Sequence, residues 1–349
     1  VVQEMLPFFT EHYGNPSSVY EFSTPCKKAI SHARETIAQS LGTKTNEIYF
    51  TAGGTESDNI ALFGTASANR GRHIISTPLE HPAIINTLGE LRERGYKIDY
   101  TPVDSNGKVI LKDFERLIRP DTFLVTAMIV NNEIGTIEPI AEMAKILKSV
   151  NPRAVFHTDA VQGFGKVPIN VDALGVDLVS LSAHKVHGPK GMGALYIRRG
   201  TKIKPIIYGG GQQQGMRSGT ENVPGMVGFG IAAKIAATDL GKKIERMSAL
   251  KERLKNGILN SIDNVRINTP DNNAPHILNV SFGGTKAEVV LHSLEMQDIF
   301  VSSGSACSSH KKEPSYVLTE IGVPRKMIDG SIRFSLSEFS TEEDVDITI

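Results

Sequence analysis

The sequence predicts an α/β protein: a mainly parallel sheet covered by helices on both faces, followed by a smaller α+β unit. Three observations predict it. Short apolar segments of strand length alternate with amphipathic segments of helix length through the first two thirds of the chain, the pattern of a parallel sheet. That alternation breaks at a helical stretch over 224–262, far longer than an ordinary helix. Beyond it only a few strand and helix signals remain, which places a boundary near residue 240 and gives a large unit over 1–240 and a small one over 241–349.

The elements follow in order. Residues 25–41 read as a helix, with Ser23 or Thr24 as cap, Pro25 in the first turn and Gly42 after the end. A strand at 47–51 leads into a helix at 55–67, and strand 73–76 into helix 81–94. Strand 123–130 precedes helix 140–149, and strands follow at 154–159, 178–182 and 193–197. In the small unit, 277–282, 287–296 and 331–335 together suggest an α+β arrangement.

Composition narrows the function classes. Of 349 residues 40% are apolar and 22% charged, ordinary for a globular chain. Lys plus Arg equals Asp plus Glu at 38 each, so no global field favours nucleic acid or an anionic membrane. The longest apolar runs are strand-sized, short of the ~20 residues a membrane span needs. Only Cys26 and Cys307 are present, and no charged-then-apolar leader opens the chain. A reducing, cytoplasmic setting is expected, with thiols kept for reactivity rather than crosslinking. No metal-ligand spacing stands out. The chain opens on Val, and its last segment stops inside an apparent helix, so both ends are expected to be clipped.

Chemistry concentrates at strand ends, where open α/β sheets bind ligands. In DLVSLSAHKVHGPKG (177–191) a strand ends at Ser182, and His184 and Lys185 occupy the turn beyond it. A lysine beside a phosphate-binding Ser and His suits a Schiff base to pyridoxal 5'-phosphate; a solvated surface lysine is the plain alternative. Asp159, in FHTDAVQ (156–162), closes a buried strand and needs a cationic partner, which a protonated pyridine nitrogen would be. A helix cap is the other reading. Gln162 is placed to bond the ring's phenolic oxygen. In TAGGTESDN (51–59), two glycines, Gly54 among them, join a strand to a helix that starts near Thr55, a ready anion site, although glycine-rich turns are common. His81 opens another helix, either stacking on a cofactor ring or bonding the backbone.

Together these segments resemble the cysteine desulfurases of the class-V aminotransferase group of fold-type I pyridoxal-phosphate enzymes. The ordered set that carries the resemblance is YGNPSS (13–18), TAGGTESDN, EHPAI (80–84), VNNEIGT (130–136), HTDAVQ, SAHKVHGPKG, RSGTENVPG (217–225), SSGSACSS (302–309), EPSYVL (313–318) and SIRFSLS (331–337). It implies a seven-stranded-type sheet sandwiched by helices. It implies Lys185 as the cofactor lysine and general base, Asp159 at the pyridine nitrogen, Gln162 at the phenolic oxygen and His81 on the ring face with a catalytic role. Gly54, Thr55, Ser182 and His184 would hold the phosphate, and Thr220 would reach the phosphate of the partner subunit in a homodimer. Asn132 would contact both cofactor and substrate, and Arg333 the substrate carboxylate.

Cys307 would take sulfur from L-cysteine as a persulfide, releasing alanine. SSGSAC before a dozen-residue loop resembles the branch that feeds iron–sulfur cluster assembly, implying a scaffold protein or other sulfur acceptor as partner. A selenocysteine lyase, or a catalytically silent carrier with the same fold, is the alternative. Two departures stand out. The family's N-terminal strand with an Asn-Ala-Thr-Thr type motif is absent from this chain, and 21–26 reads EFSTPC where relatives carry a small, glycine-containing entry. Cys26 near a helix start has the option of a lowered pKa, and a partly buried, inert thiol is expected.

Overall fold

The computed structural model describes residues 1–304 and 314–349. Seven strands form the main sheet: β1 (Ile48–Thr51), β2 (His73–Ser76), β3 (Lys97–Tyr100), β4 (Thr122–Thr126), β5 (Val155–Asp159), β6 (Leu178–Ser182) and β7 (Gly193–Ile197). Their order is β1-β7-β6-β5-β4-β2-β3. The pairings from β3 through β2, β4 and β5 to β6 are parallel. β7 runs antiparallel to both β6 and β1. Every residue of β4, β5, β6 and β7 is buried, as expected of strands covered on both faces. The predicted strand over 123–130 ends at Thr126, and the chain beyond it turns into the functional site.

The helices that matter here are α1 (Thr24–Leu41), α2 (Gly54–Ala68), α3 (Pro82–Glu93), α4 (Ile140–Val150), α5 (Val223–Ala237) and α6 (Leu240–Ser261). Pro25 stands in the first turn of α1, where its missing N–H costs nothing, and Gly42 caps the end. α5 packs on α1 and is buried along most of its length. The long helical stretch is two helices, α5 and α6, bent by 73°. Among the described residues no single helix is long and apolar enough to cross a membrane.

Past the bend, β8 (Val265–Ile267), β9 (Ile277–Phe282) and β10 (Ser331–Ser335) form an antiparallel sheet in the order β10-β9-β8. It has its own core, in which Leu250, Leu254 and Ile258 of α6 meet Leu278, Val280 and Ile332. Helix α7 (Ala287–Glu295) lies beside β10. A further apolar cluster joins Leu79 and Ile134, from loops above the main sheet, to Val317, Leu318 and Ile321 near the C-terminus. That cluster brings β10 against the ends of the main-sheet strands.

Candidate active site

The site lies beyond the carboxyl ends of β4, β5 and β6. Asp159 is the last residue of β5 and Ser182 the last of β6, and a 3-10 turn over Ala183–Val186 carries His184 and Lys185. A cavity of about 170 Å³ opens there. Every predicted site residue lines it except Thr220, which is exposed elsewhere on the chain, and Cys307, which lies outside the described residues.

One end of the cavity is built for an anion. Gly54 starts α2, so the first backbone N–H groups of that helix face the opening together with Thr55. Ser182 Oγ and His184 Nδ1 are hydrogen-bonded at 2.8 Å beside them. Close packing makes this possible. A Cβ on Gly193 would stand 2.6 Å from Gly53 C and 2.6 Å from Leu181 O, so only glycine lets the turn before α2 settle on β6 and β7. Lys190 borders the adjoining cleft, which shares Gly54, Thr55, Ser182 and His184. Burial, Lys185 and Lys190 all push His184 down from the ordinary imidazole range, so its ring is neutral at neutral pH.

The middle of the cavity carries the titratable groups. Asp159 is 6% exposed, and its Oδ1 accepts from Val161 N–H at 2.8 Å. Burial raises its pKa, and that hydrogen bond and the Lys185 cation draw it part of the way back. Gln162 Oε1 lies 3.4 Å from His276 Nε2. His276 is almost wholly buried, and its pKa falls to about 3, so the ring is neutral. His81 caps α3, its Nδ1 accepting from Ala83 N–H at 3.1 Å, which leaves the proton on Nε2. Burial, with the Lys185 charge second, lowers its pKa and keeps it neutral. His81 is therefore both a helix cap and a wall of the cavity. Asp159 fixes a turn and faces the cavity, but no helix begins there, so the helix-cap reading holds for His81 and not for Asp159.

At the far end, Arg333 Nη1 donates to Asn132 O at 2.8 Å. The Arg333 backbone exchanges bonds of 2.7 and 3.1 Å with Ser302. Arg333 comes from β10, so the small sheet supplies this wall. Next to Asn132, Glu133 accepts a 2.5 Å bond from Ser315 Oγ. Asn132 is 4% exposed, yet its Oδ1 has no hydrogen-bond partner. A buried acceptor left open on a cavity wall fits a ligand with a donor.

Sequence reasoning missed Asp58, Lys190 and His276. Asp58 sits one turn along α2 from Gly54 and also lines the cavity; the inward helical spacing was its one signal. Cys26 is fully buried and donates through Sγ to His12 O at 2.9 Å. Burial raises its pKa, outweighing its place in the first turn of α1, so the lowered-pKa option does not hold.

The aminotransferase class-V family matches residues 1–347. The chain belongs to that family. A cysteine desulfurase IscS of Clostridium botulinum is 48% identical over 354 residues, spanning 100% of this chain and 89% of the relative. A solved NifS-like protein superimposes with a TM-score of 0.94 at 41% identity, covering 99% of this chain and 92% of that one. A structure described as SspA in complex with cysteine gives a TM-score of 0.84 at 33% identity, over 97% of this chain and 95% of that one. Within the class-V family this chain therefore stands on the cysteine desulfurase branch. The residues around the cavity fit that branch's cofactor: an anion cradle, a lysine and a buried carboxylate at one opening, and an open buried acceptor on Asn132.

Proposed function

We propose that this chain is a cysteine desulfurase that binds pyridoxal 5'-phosphate in the cavity between β5, β6 and α2 and passes sulfur from L-cysteine to Cys307. The observation that carries the reading is the convergence of Lys185, Asp159 and the α2 N-terminus on one cavity, in a chain 48% identical to a named desulfurase. Gly54, Thr55, Ser182 and His184 would hold the phosphate, Asp159 the ring nitrogen, Gln162 the phenolic oxygen and His81 the ring face. Bound there, the cofactor supplies an electron sink that acidifies the substrate's α-proton and weakens its Cβ–S bond.

The chain's own residues do the rest. Arg333 and the Nδ2 donors of Asn132 orient the substrate carboxylate, the guanidinium being suited to a bidentate contact. Lys185 Nζ takes the α-proton as general base and can return it. His81, neutral and carrying its proton on Nε2, offers a donor at the ring face. The Cys307 thiolate attacks the substrate sulfur: an S–S bond forms, the Cβ–S bond breaks, and its electron pair stays on carbon. That carbon takes a proton and leaves as the methyl of L-alanine, while the persulfide remains on Cys307.

The reading extends to partners. A homodimer is supported by Thr220, exposed and away from its own cavity, and by Phe9, Tyr13, Val19 and Tyr20, between 61% and 92% exposed. The IscS name of the relative supports an iron–sulfur scaffold or similar acceptor for the persulfide. A reducing, cytoplasmic setting suits a thiol that must cycle with each turnover. The 73° bend after α5 supports a boundary near 240 between a cofactor-bearing unit and the smaller one. The test is spectroscopic. The purified protein is expected to be yellow, to change spectrum on adding L-cysteine, and to lose both the covalent chromophore and alanine production in Lys185→Ala. A Lys185→Ala protein that makes alanine at the unmutated rate refutes it.

A further inference from the structure

Asp58 has no part in the chemistry above, yet it stands on the cavity floor at 1% exposure. Its Oδ1 is buried without a hydrogen-bond partner. His157 Nε2 is 3.7 Å from that oxygen, beyond hydrogen-bond range, and is already engaged with Ser180 Oγ at 2.9 Å. The other ring nitrogen faces Thr126 Oγ1 at 2.8 Å. His157 is completely buried between these hydroxyls, with a pKa lowered to about 3, so it is a neutral ring and supplies no counter-charge. An ionised carboxylate with a bare oxygen in such a place is costly.

Asp159 shares the same floor and has what Asp58 lacks, a backbone N–H donor at 2.8 Å and the Lys185 cation. Two carboxyl groups in one dry site do not both ionise cheaply, and the proton goes to the one with poorer partners. Desolvation and the Asp159 charge both act on Asp58 in that direction, against a single Ser180 hydroxyl. Glu80, the next acid, has its pKa pushed up to about 8 and is itself protonated at neutral pH, so it brings no charge to the site.

We propose that Asp58 is a protonated carboxylic acid in the working enzyme, a positioning residue that leaves Asp159 as the one carboxylate that the described residues bring to the cavity. Its task is electrostatic. A second negative charge beside Asp159 would compete for the ring cation and raise the proton affinity of Asp159 itself. The inference rests on Asp159 as the residue at the ring nitrogen, but it is tested separately: cofactor loss in Asp159→Asn tests that reading, and the state of Asp58 tests this one.

The experiment is infrared difference spectroscopy of the holoenzyme, grown with carboxyl-labelled aspartate, at about pH 7. One carboxylic-acid carbonyl band is expected to shift with the label, which separates it from Glu80, and to disappear in Asp58→Asn. If that variant does not fold, Ser180→Ala assigns the band instead: losing the hydroxyl beside Asp58 moves the band to higher frequency without removing it. Absence of a label-sensitive band, with nitrogen shifts of an imidazolium at His157, would mean a buried Asp58–His157 ion pair and would overturn the proposal. So would a band that persists unchanged in Asp58→Asn.

Discussion

Gly193→Ala puts the packing of the anion cradle to the test. The added Cβ would lie 2.6 Å from two backbone atoms and 2.7 Å from a third, Gly53 Cα, where ordinary contacts begin at 3.4 Å. Leu181 is held in the β6–β7 ladder, so the turn at Gly53 has to yield. Overpacking of this kind costs about 1–3 kcal/mol. With an unfolding entropy of ~2.1 cal/mol/K per residue over 349 residues, each kcal/mol lowers Tm by roughly 1.4 °C, so a drop of about 1.5–4 °C is expected. The same displacement moves the first N–H groups of α2 off the phosphate, and a loss of about 1.4 kcal/mol there weakens cofactor binding about tenfold. Thermal melts of the apoprotein and equilibrium dialysis against the cofactor measure the two effects. A variant with unchanged Tm and unchanged affinity would show that the turn is not set by Gly193.

The two cysteines are expected to separate cleanly. Cys307→Ser should keep the cofactor but lose ~10³-fold or more in alanine formation, because an attacking atom is gone, whereas Cys26→Ser should cost about 1 kcal/mol of stability at most and little turnover; mass spectrometry after brief exposure to L-cysteine should find the extra sulfur on the Cys307 peptide. Glu80 is wholly buried and its pKa is pushed up to about 8, so the folded chain keeps a proton that the unfolded chain releases from the ordinary carboxyl range upward. Stability should therefore fall as pH rises from about 4.5 towards 8, and Glu80→Gln should flatten that slope in urea unfolding. If Thr220 completes the partner's phosphate site, dilution to monomer should release cofactor, and sedimentation of a fully active monomer would rule that out.

Much of the site was legible because its chemistry is local to strand ends. Lys185 and Asp159 declare themselves by standing where a buried apolar run stops, and Thr55 by following glycines at a helix start. Features set by distant partners were not legible. Gly193–Ile197 has the apolar character of its parallel neighbours, and only pairing with β1 and β6 makes it antiparallel. Lys97–Tyr100, with two charged residues in four, does not look like a strand and forms the sheet edge. Asp58 reads as one more polar residue in TESDN until the fold turns it inward beside Asp159. Cys26 bears out the expected inert thiol: the helix start left room for a lowered pKa, and tertiary burial decides against it.

The place of β1 in the sheet bears on how the protein reaches its native state. Each strand from β5 to β7 pairs with the one just before it in the chain, but Ile48 must find Tyr196, about 150 residues later. Closing so long a loop is entropically slow and comes after nearer pairings have formed. The anion cradle needs that closure, because it joins the turn following β1 to the ends of β6 and β7. Cofactor capture is thus a late event in folding, and the appearance of a bound chromophore during refolding would time the final long-range docking step rather than the growth of the sheet.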